Sequence, residues 1–167
     1  MHKTGAIVLV GPMGVGKTTI GKKLAKHLQV PFIDTDALIT KQHGEIPKIF
    51  AELGEPKFRE FEEACVLSAI AEPAVVATGG GAVLSEHTRA ALGETKVVYL
   101  TTDGKHMASR LAGGNRPLLK DGLADWRRIY ESRRELYEQV ADITVDTSGT
   151  PLKSIVEEIA KRLEQIV

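Results

Sequence analysis

The sequence predicts an α/β fold in three layers, with a five-stranded parallel sheet between two layers of helices. Three observations carry that expectation. Short apolar runs recur at Ala6 to Val10, Phe32 to Asp34, Ala74 to Ala77, Lys96 to Leu100 and Asp142 to Asp146. The spacers between them, about 20 to 40 residues, suit the crossover helices that parallel strands require. The spacers also carry helical periodicity: behind Pro151, a residue suited to a first helical turn, Leu152, Ile155, Val156, Ile159, Leu163 and Ile166 share one face. With 167 residues, 43% of them hydrophobic and 26% charged, residues 1 to 167 read as one globular domain.

Composition excludes several function classes. Lys plus Arg and Asp plus Glu number 22 each, so the chain has no net field to attract nucleic acid or an anionic membrane, and neither partner is expected. Any anion it binds must be held by a local site. Cys65 is the single cysteine, which rules out an internal disulfide and reads as core packing. The apolar runs are far too short to span a membrane. Met1 to Gly5 leads straight into the first strand without the pattern of a signal peptide, so a cytoplasmic protein is expected. The histidines, His2, His27, His43, His87 and His106, show no metal-ligand spacing, which argues against structural zinc.

The first strand runs into Gly11-Pro12-Met13-Gly14-Val15-Gly16-Lys17-Thr18, a G-x-x-x-x-G-K-[ST] pattern that opens a helix through Leu28. This context makes the motif specific. Glycines let successive N–H groups point inward at phosphate oxygens, and the helix N-terminus adds its positive dipole end. Lys17 supplies a point charge and the Thr18 hydroxyl a ligand for Mg²⁺. Nucleotide binding follows, but not the reaction, because motors, switches and kinases share the loop.

The acceptor side must be read from the other strand ends, where ligands of open parallel sheets collect. The second strand ends in Asp34-Thr35-Asp36, and a spacing of two sends both carboxylates to one side. One could serve Mg²⁺ and the other a reacting hydroxyl; the competing reading makes Asp36 the N-cap of a helix through Ala37, Leu38 and Ile39. Residues 36 to 72 hold too much helix for one crossover, with breaks at His43-Gly44 and at Leu53-Gly54-Glu55-Pro56, so a small helical insert is expected. Within it Phe58, Phe61 and Cys65 form a buried stripe with Arg59 beside them; Arg59 and Glu62 are spaced to pair at the surface, and a guanidinium near the strand ends would equally suit a substrate carboxylate. The third strand ends in Thr78-Gly79-Gly80-Gly81, a run whose entropy cost points to a backbone that passes close to something. The segment Gly113 to Gly122, glycine-bounded with cations Arg116 and Lys120, reads as a mobile lid. A helix follows from Asp125 to Val140, bearing Arg127, Arg128, Arg133 and Arg134, most of them expected on a solvated face. The loop Asp146 to Pro151 after the fifth strand is expected to flank a nucleotide base.

Together these pieces resemble the shikimate kinases, small ATP-dependent kinases with the P-loop NTPase fold of the nucleoside monophosphate kinases. The resemblance spans about Ile7 to Leu163. It rests on the phosphate loop, Asp34-Thr35-Asp36, Phe58-Arg59 with Glu62, Gly79-Gly80-Gly81, Arg116-Pro117-Leu118-Leu119, and Arg133 four residues before Tyr137. It implies transfer of the γ-phosphoryl of ATP to the 3-hydroxyl of shikimate, with ATP and Mg²⁺ as cofactors and a monomeric chain. By the same resemblance Lys17, Asp36 and Arg116 would be catalytic. Asp36, Arg59, Gly79, Gly80, Gly81 and Arg133 would bind shikimate. Gly14, Val15, Gly16, Lys17, Thr18, Thr19, Arg110, Arg116, Thr147 and Pro151 would bind ATP, and Thr18 and Asp34 would serve the metal. The substrate-binding insert would cover about 34 to 62 and the lid about 112 to 123. Three features depart from the pattern: Gly44-Glu45-Ile46-Pro47, before the Ile49-Phe50 wall, is about one residue short; Arg134 is an extra arginine; and the lid is compact before Arg116.

Two other readings compete. A kinase of another polyol acid, such as gluconate, would share the loop and fold, but the three glycines with Arg59 and Arg133 argue against it. In a nucleotide-binding regulatory module without acceptor chemistry, Asp36 would merely cap a helix.

Overall fold

The computed structural model describes residues 5–111, 117–119 and 122–166. Strands β1 (Ile7–Val10), β2 (Phe32–Asp34), β3 (Val75–Ala77), β4 (Lys96–Thr101) and β5 (Ile143–Asp146) form one sheet in the order β2-β3-β1-β4-β5. Every pairing is parallel, with Val8 opposite Val76 on one side and Val97 on the other. The apolar runs of the sequence mark these strands to within a residue.

Helices cover both faces, which is why β1, β3 and β4 are apolar at nearly every position, while the edge strand β5 alternates. Side chains of successive strand residues point to opposite faces. Val8, Val10, Val97 and Tyr99 therefore share a core with Val66 of α4 (Glu55–Ala69), Leu92 of α5 (Glu86–Leu92) and Trp126, Tyr130 and Tyr137 of α7 (Leu123–Val140). Leu9, Val98 and Leu100 pack on the other side against Leu24 of α1 (Lys17–Leu28) and Ile155, Ile159 and Leu163 of α8 (Leu152–Leu163). The periodic face read behind Pro151 is the buried face of α8.

Between β2 and β3 the chain builds α2 (Thr35–His43), α3 (Ile46–Leu53) and α4, broken at the two glycine positions marked by the sequence. Pro47 and Pro56 fall in the first turns of α3 and α4, where a missing N–H carries no penalty. Ile39, Ile49, Phe58 and Cys65 give these helices an apolar cluster of their own. Two elements have weaker sequence signals: α5, capped by the Ser85 hydroxyl accepting from the Thr88 N–H at 3.1 Å, and the short α6 (Met107–Leu111). Helix α7 begins two residues before its expected start. The lid expected at 112 to 123 falls largely outside the described residues, and Arg116 with it. Among the described residues no helix is long and apolar enough to cross a membrane.

Ile159 is fully buried where α8 meets the sheet. Ile159→Ala is expected to lower the unfolding free energy by about 2–5 kcal/mol. Denaturant titration checks this, with a shifted midpoint and an unchanged m-value.

Candidate active site

The carboxyl ends of β1, β2 and β3 open onto one cleft of about 800 Å³ that extends from the phosphate loop to the helical insert. Its floor is the loop between β1 and α1. Gly11 has φ 149°, and a Cβ there would lie 2.6 Å from the Leu100 carbonyl oxygen, so β1 can turn this tightly beside β4 only with glycine. Gly16 is the α1 N-cap, its carbonyl accepting from the Ile20 N–H at 2.8 Å, and the helix N-terminus opens toward the cleft. The buried Lys17 ammonium donates to the carbonyls of Gly11 at 2.6 Å and Pro12 at 3.0 Å, which holds the charge at the cradle. Gly14, Val15, Thr18 and Thr19 line the same cleft. Arg110 reaches across from α6, its guanidinium donating to the Gly14 carbonyl at 3.1 Å.

Asp34, not Asp36, caps α2. Its Oδ1 accepts from the N–H groups of Asp36 at 2.9 Å and Ala37 at 3.2 Å, while Oδ2 accepts from the Thr18 hydroxyl at 2.7 Å. The strand stops at Asp34 and helix begins at Thr35, so the two-residue alternation of a strand does not govern this pair. Capping falls to the first carboxylate, and the Asp36 side chain is thereby left to face the glycine run.

That run is where the acceptor side closes together. Thr78 ties it to β1, its hydroxyl donating to the Leu9 carbonyl at 2.9 Å. A Cβ on Gly79 would lie 2.8 Å from both Asp36 Oδ1 and Glu62 Oε2, and one on Gly81 would collide with the Arg59 guanidinium. Neither glycine has a positive φ, so the requirement is close approach and not turn geometry. The close neighbours are the pocket's own side chains. Arg59 is fixed by two carboxylates: its Nη1 donates to Glu62 Oε1 at 2.8 Å, and its Nε and Nη2 donate to Glu55 Oε2 at 3.2 and 3.1 Å. Arg133 is 5% exposed and lines the cleft behind Gly80, whereas Arg134 turns outward over the Tyr130 ring.

Glu62 enters the site with a role that its spacing to Arg59 did not reveal. It is 3% exposed, and burial pushes its carboxyl above the ordinary value, against the Arg59 guanidinium and with Asp36 adding to the rise. Only the fold, which turns this face of α4 toward the strand ends, distinguishes it from a surface partner. The apolar wall also differs from expectation. Ile46, Phe50 and Phe58 line the cleft, while Ile49, one residue from Phe50 and so about 100° around α3, is buried in the insert's cluster. At the nucleotide end Thr147, Thr150 and Leu152 line the wall. Pro151 does not; it is exposed at the N-cap of α8, its carbonyl accepting from the Ile155 N–H at 3.1 Å.

A phosphate cradle facing a polar acceptor pocket across one cleft is the arrangement of a P-loop kinase, the class that this fold and site define. Residues 13–164 match the family model of shikimate kinase. The chain is 42% identical over 162 residues to a shikimate kinase of Corynebacterium efficiens, covering 95% of this chain and 96% of that one. It is 46% identical over 147 residues to a shikimate kinase of Streptomyces coelicolor, with 86% of each covered. Among solved structures, shikimate kinase from Acinetobacter baumannii in complex with shikimate superposes with a TM-score of 0.92 at 35% identity, over 97% of this chain and 94% of that one. A gluconokinase from Sinorhizobium meliloti, at 22% identity and a TM-score of 0.63, shares the fold alone. The chain belongs to the shikimate kinase family and is an ATP- and Mg²⁺-dependent kinase that phosphorylates shikimate in aromatic amino-acid biosynthesis.

Asp34→Ala removes both the α2 cap and the partner of Thr18. Loss of an N-cap is expected to lower the stability of the metal-free protein by about 0.5–2 kcal/mol. Thermal unfolding in the presence of a chelator checks this without interference from Mg²⁺.

Proposed function

We propose that the γ-phosphoryl of ATP passes to the 3-hydroxyl of shikimate, held where the glycine run meets the phosphate loop. One observation carries the reading: Asp36, Arg59, Glu62 and Arg133 converge on Gly79 to Gly81, and a Cβ on Gly80 would lie 3.4 Å from the Met13 N–H of the phosphate loop. Acceptor and donor loops therefore touch. Arg59 and Arg133 supply forks for the substrate carboxylate, and Ile46, Phe50 and Phe58 an apolar wall for its ring.

In this reading the acceptor oxygen forms the new bond to phosphorus as the bond to the bridging oxygen of ADP breaks. Asp36 accepts the hydroxyl proton, or orients it until the phosphoryl has moved. Lys17 and the α1 N-terminus face the charge that spreads over the transferred oxygens. Thr18 and Asp34, oxygen donors beside the cradle, suit Mg²⁺, which binds through few protein ligands plus substrate phosphates. When bound, the ion neutralises charge on the β- and γ-phosphates. Arg110 and the wall at Thr147 to Thr150 take the nucleotide base. Arg116, which lies outside the described residues, would add a further cation for the transferred phosphoryl. The helical insert binds the acceptor. The balanced charge and lone cysteine support a cytoplasmic monomer that meets neither nucleic acid nor membrane.

Asp36→Asn is expected to cut kcat by roughly 10²-fold or more with ATP affinity little changed. ADP formation with and without shikimate tests both the variant and the reading. Turnover indifferent to shikimate in the wild-type protein contradicts the acceptor.

Adjacent helical residues point about 100° apart, so Arg133 and Arg134 cannot share one site. Arg133→Ala is expected to raise the shikimate KM roughly 10- to 150-fold, the value of a charge-assisted hydrogen bond, with the ATP KM nearly unchanged. Arg134→Ala should stay within about 0.5 kcal/mol of wild type. Steady-state kinetics on the two variants separate them.

A further inference from the structure

Helix α7 places Trp126, Ile129, Tyr130, Arg133 and Tyr137 on its buried face. Trp126 and Tyr137, about 16 Å apart along the axis at 1.5 Å per residue, each aim a donor at a cleft loop. The Trp126 indole N–H donates to the Met13 carbonyl in the phosphate loop at 2.7 Å, and the Tyr137 phenol donates to the Gly80 carbonyl in the glycine run at 2.6 Å. Both side chains are 1% exposed. Arg133, one turn before Tyr137 on the same buried face, has its Nη1 3.5 Å from a Cβ built on Gly80, so guanidinium and phenol meet the same glycine.

A purely packing role does not explain this arrangement. Phenylalanine would fill nearly the same space at position 137, and neither Met13 nor Gly80 needs a helix to complete a ladder. The two loops have independent origins, one following β1 and the other β3. They must hold donor and acceptor within reacting distance, because misplacement of even about 1 Å can lower rates about a hundredfold. A helix joined by buried hydrogen bonds to both provides that fixed distance. Tyr130 provides an internal comparison. It lies between Trp126 and Tyr137 on the same face, yet its hydroxyl meets Tyr99 of β4 at 2.7 Å and reaches no cleft loop.

We propose that Trp126 and Tyr137 are positioning residues that make α7 a strut between the two substrate loops, Trp126 setting the phosphate loop through Met13 and Tyr137 setting the acceptor loop through Gly80. The inference rests on the proposed acceptor site. It adds that substrate alignment is divided between two residues that touch neither substrate, one for each loop.

The test is steady-state kinetics on the full chain with ATP and shikimate varied separately, alongside thermal unfolding of each variant. Tyr137→Phe is expected to raise the shikimate KM about tenfold, the effect of one buried hydrogen bond, with the ATP KM within about twofold. Its kcat should fall by less than the KM rises. Trp126, the single tryptophan, is replaced through biosynthetic incorporation by its benzothiophene isostere, which removes the N–H and preserves the ring shape. That protein should raise the ATP KM about fivefold, for loss of one neutral hydrogen bond, and leave the shikimate KM unchanged. Tyr130→Phe loses a buried hydrogen bond of the same kind and should lower the melting temperature while moving neither KM. If Tyr137→Phe behaves like Tyr130→Phe, or if both substitutions shift both KM values equally, the strut is wrong and the kinase reading stands. Wild-type protein without shikimate-dependent turnover would overturn the reading and the strut together.

Discussion

The acceptor side of this protein depends on a stretch of backbone that passes within contact distance of two carboxylates and a guanidinium. Gly79 meets Asp36 and Glu62, and Gly81 meets Arg59, at separations where an added Cβ would push those side-chain ends aside. Once that approach is made, the helical insert has a defined seat against the strand ends. Arg59 is braced by Glu55 and Glu62 on its own helix, so its guanidinium arrives oriented and not as a free surface cation.

The charges at this seat are balanced locally. Burial pushes the Glu62 carboxyl above the ordinary value, and the neighbouring guanidinium groups of Arg59 and Arg133 act against that rise. Asp36 adds a second negative charge beside it. On the proposed reading, an acceptor carboxylate would meet an Arg59 already held by two carboxylates, and its affinity there would be a difference between competing pairs, not a sum of contacts. The chain can carry such a site while keeping a net charge of zero, because the compensation is local.

Most of the fold was legible because parallel strands buried on both faces leave continuous apolar runs, and those runs mark the strands to within a residue. The phosphate loop was legible because it is contiguous. The acceptor site is not contiguous, and sequence periodicity could not orient it. Spacing of three on a helix leaves Arg59 and Glu62 undecided between a surface pair and a place in the site, because it says nothing of which face is buried. Capping at the end of β2 went to Asp34 because the chain enters helix directly at Thr35, where strand alternation no longer applies. Ile49 and Phe50 are neighbours in sequence, yet adjacent helical residues diverge, and the cleft keeps Phe50. Pro151 is exposed at the head of α8 and stands outside the cleft lining. Tyr137 marked a spacing in the sequence, and its hydrogen bond to Gly80, 57 residues away, appeared only with the fold.

The central claim, that close backbone approach builds the acceptor site independently of the nucleotide site, is tested most directly by calorimetric titration of Gly81→Ala. The added methyl displaces the Arg59 guanidinium without touching the phosphate loop. Shikimate binding, measured with ADP present, is predicted to weaken by about tenfold or more, the loss of a charge-assisted contact, while the ADP dissociation constant stays within about twofold of wild type. A folded Gly81→Ala protein that binds shikimate as tightly as wild type would contradict the account.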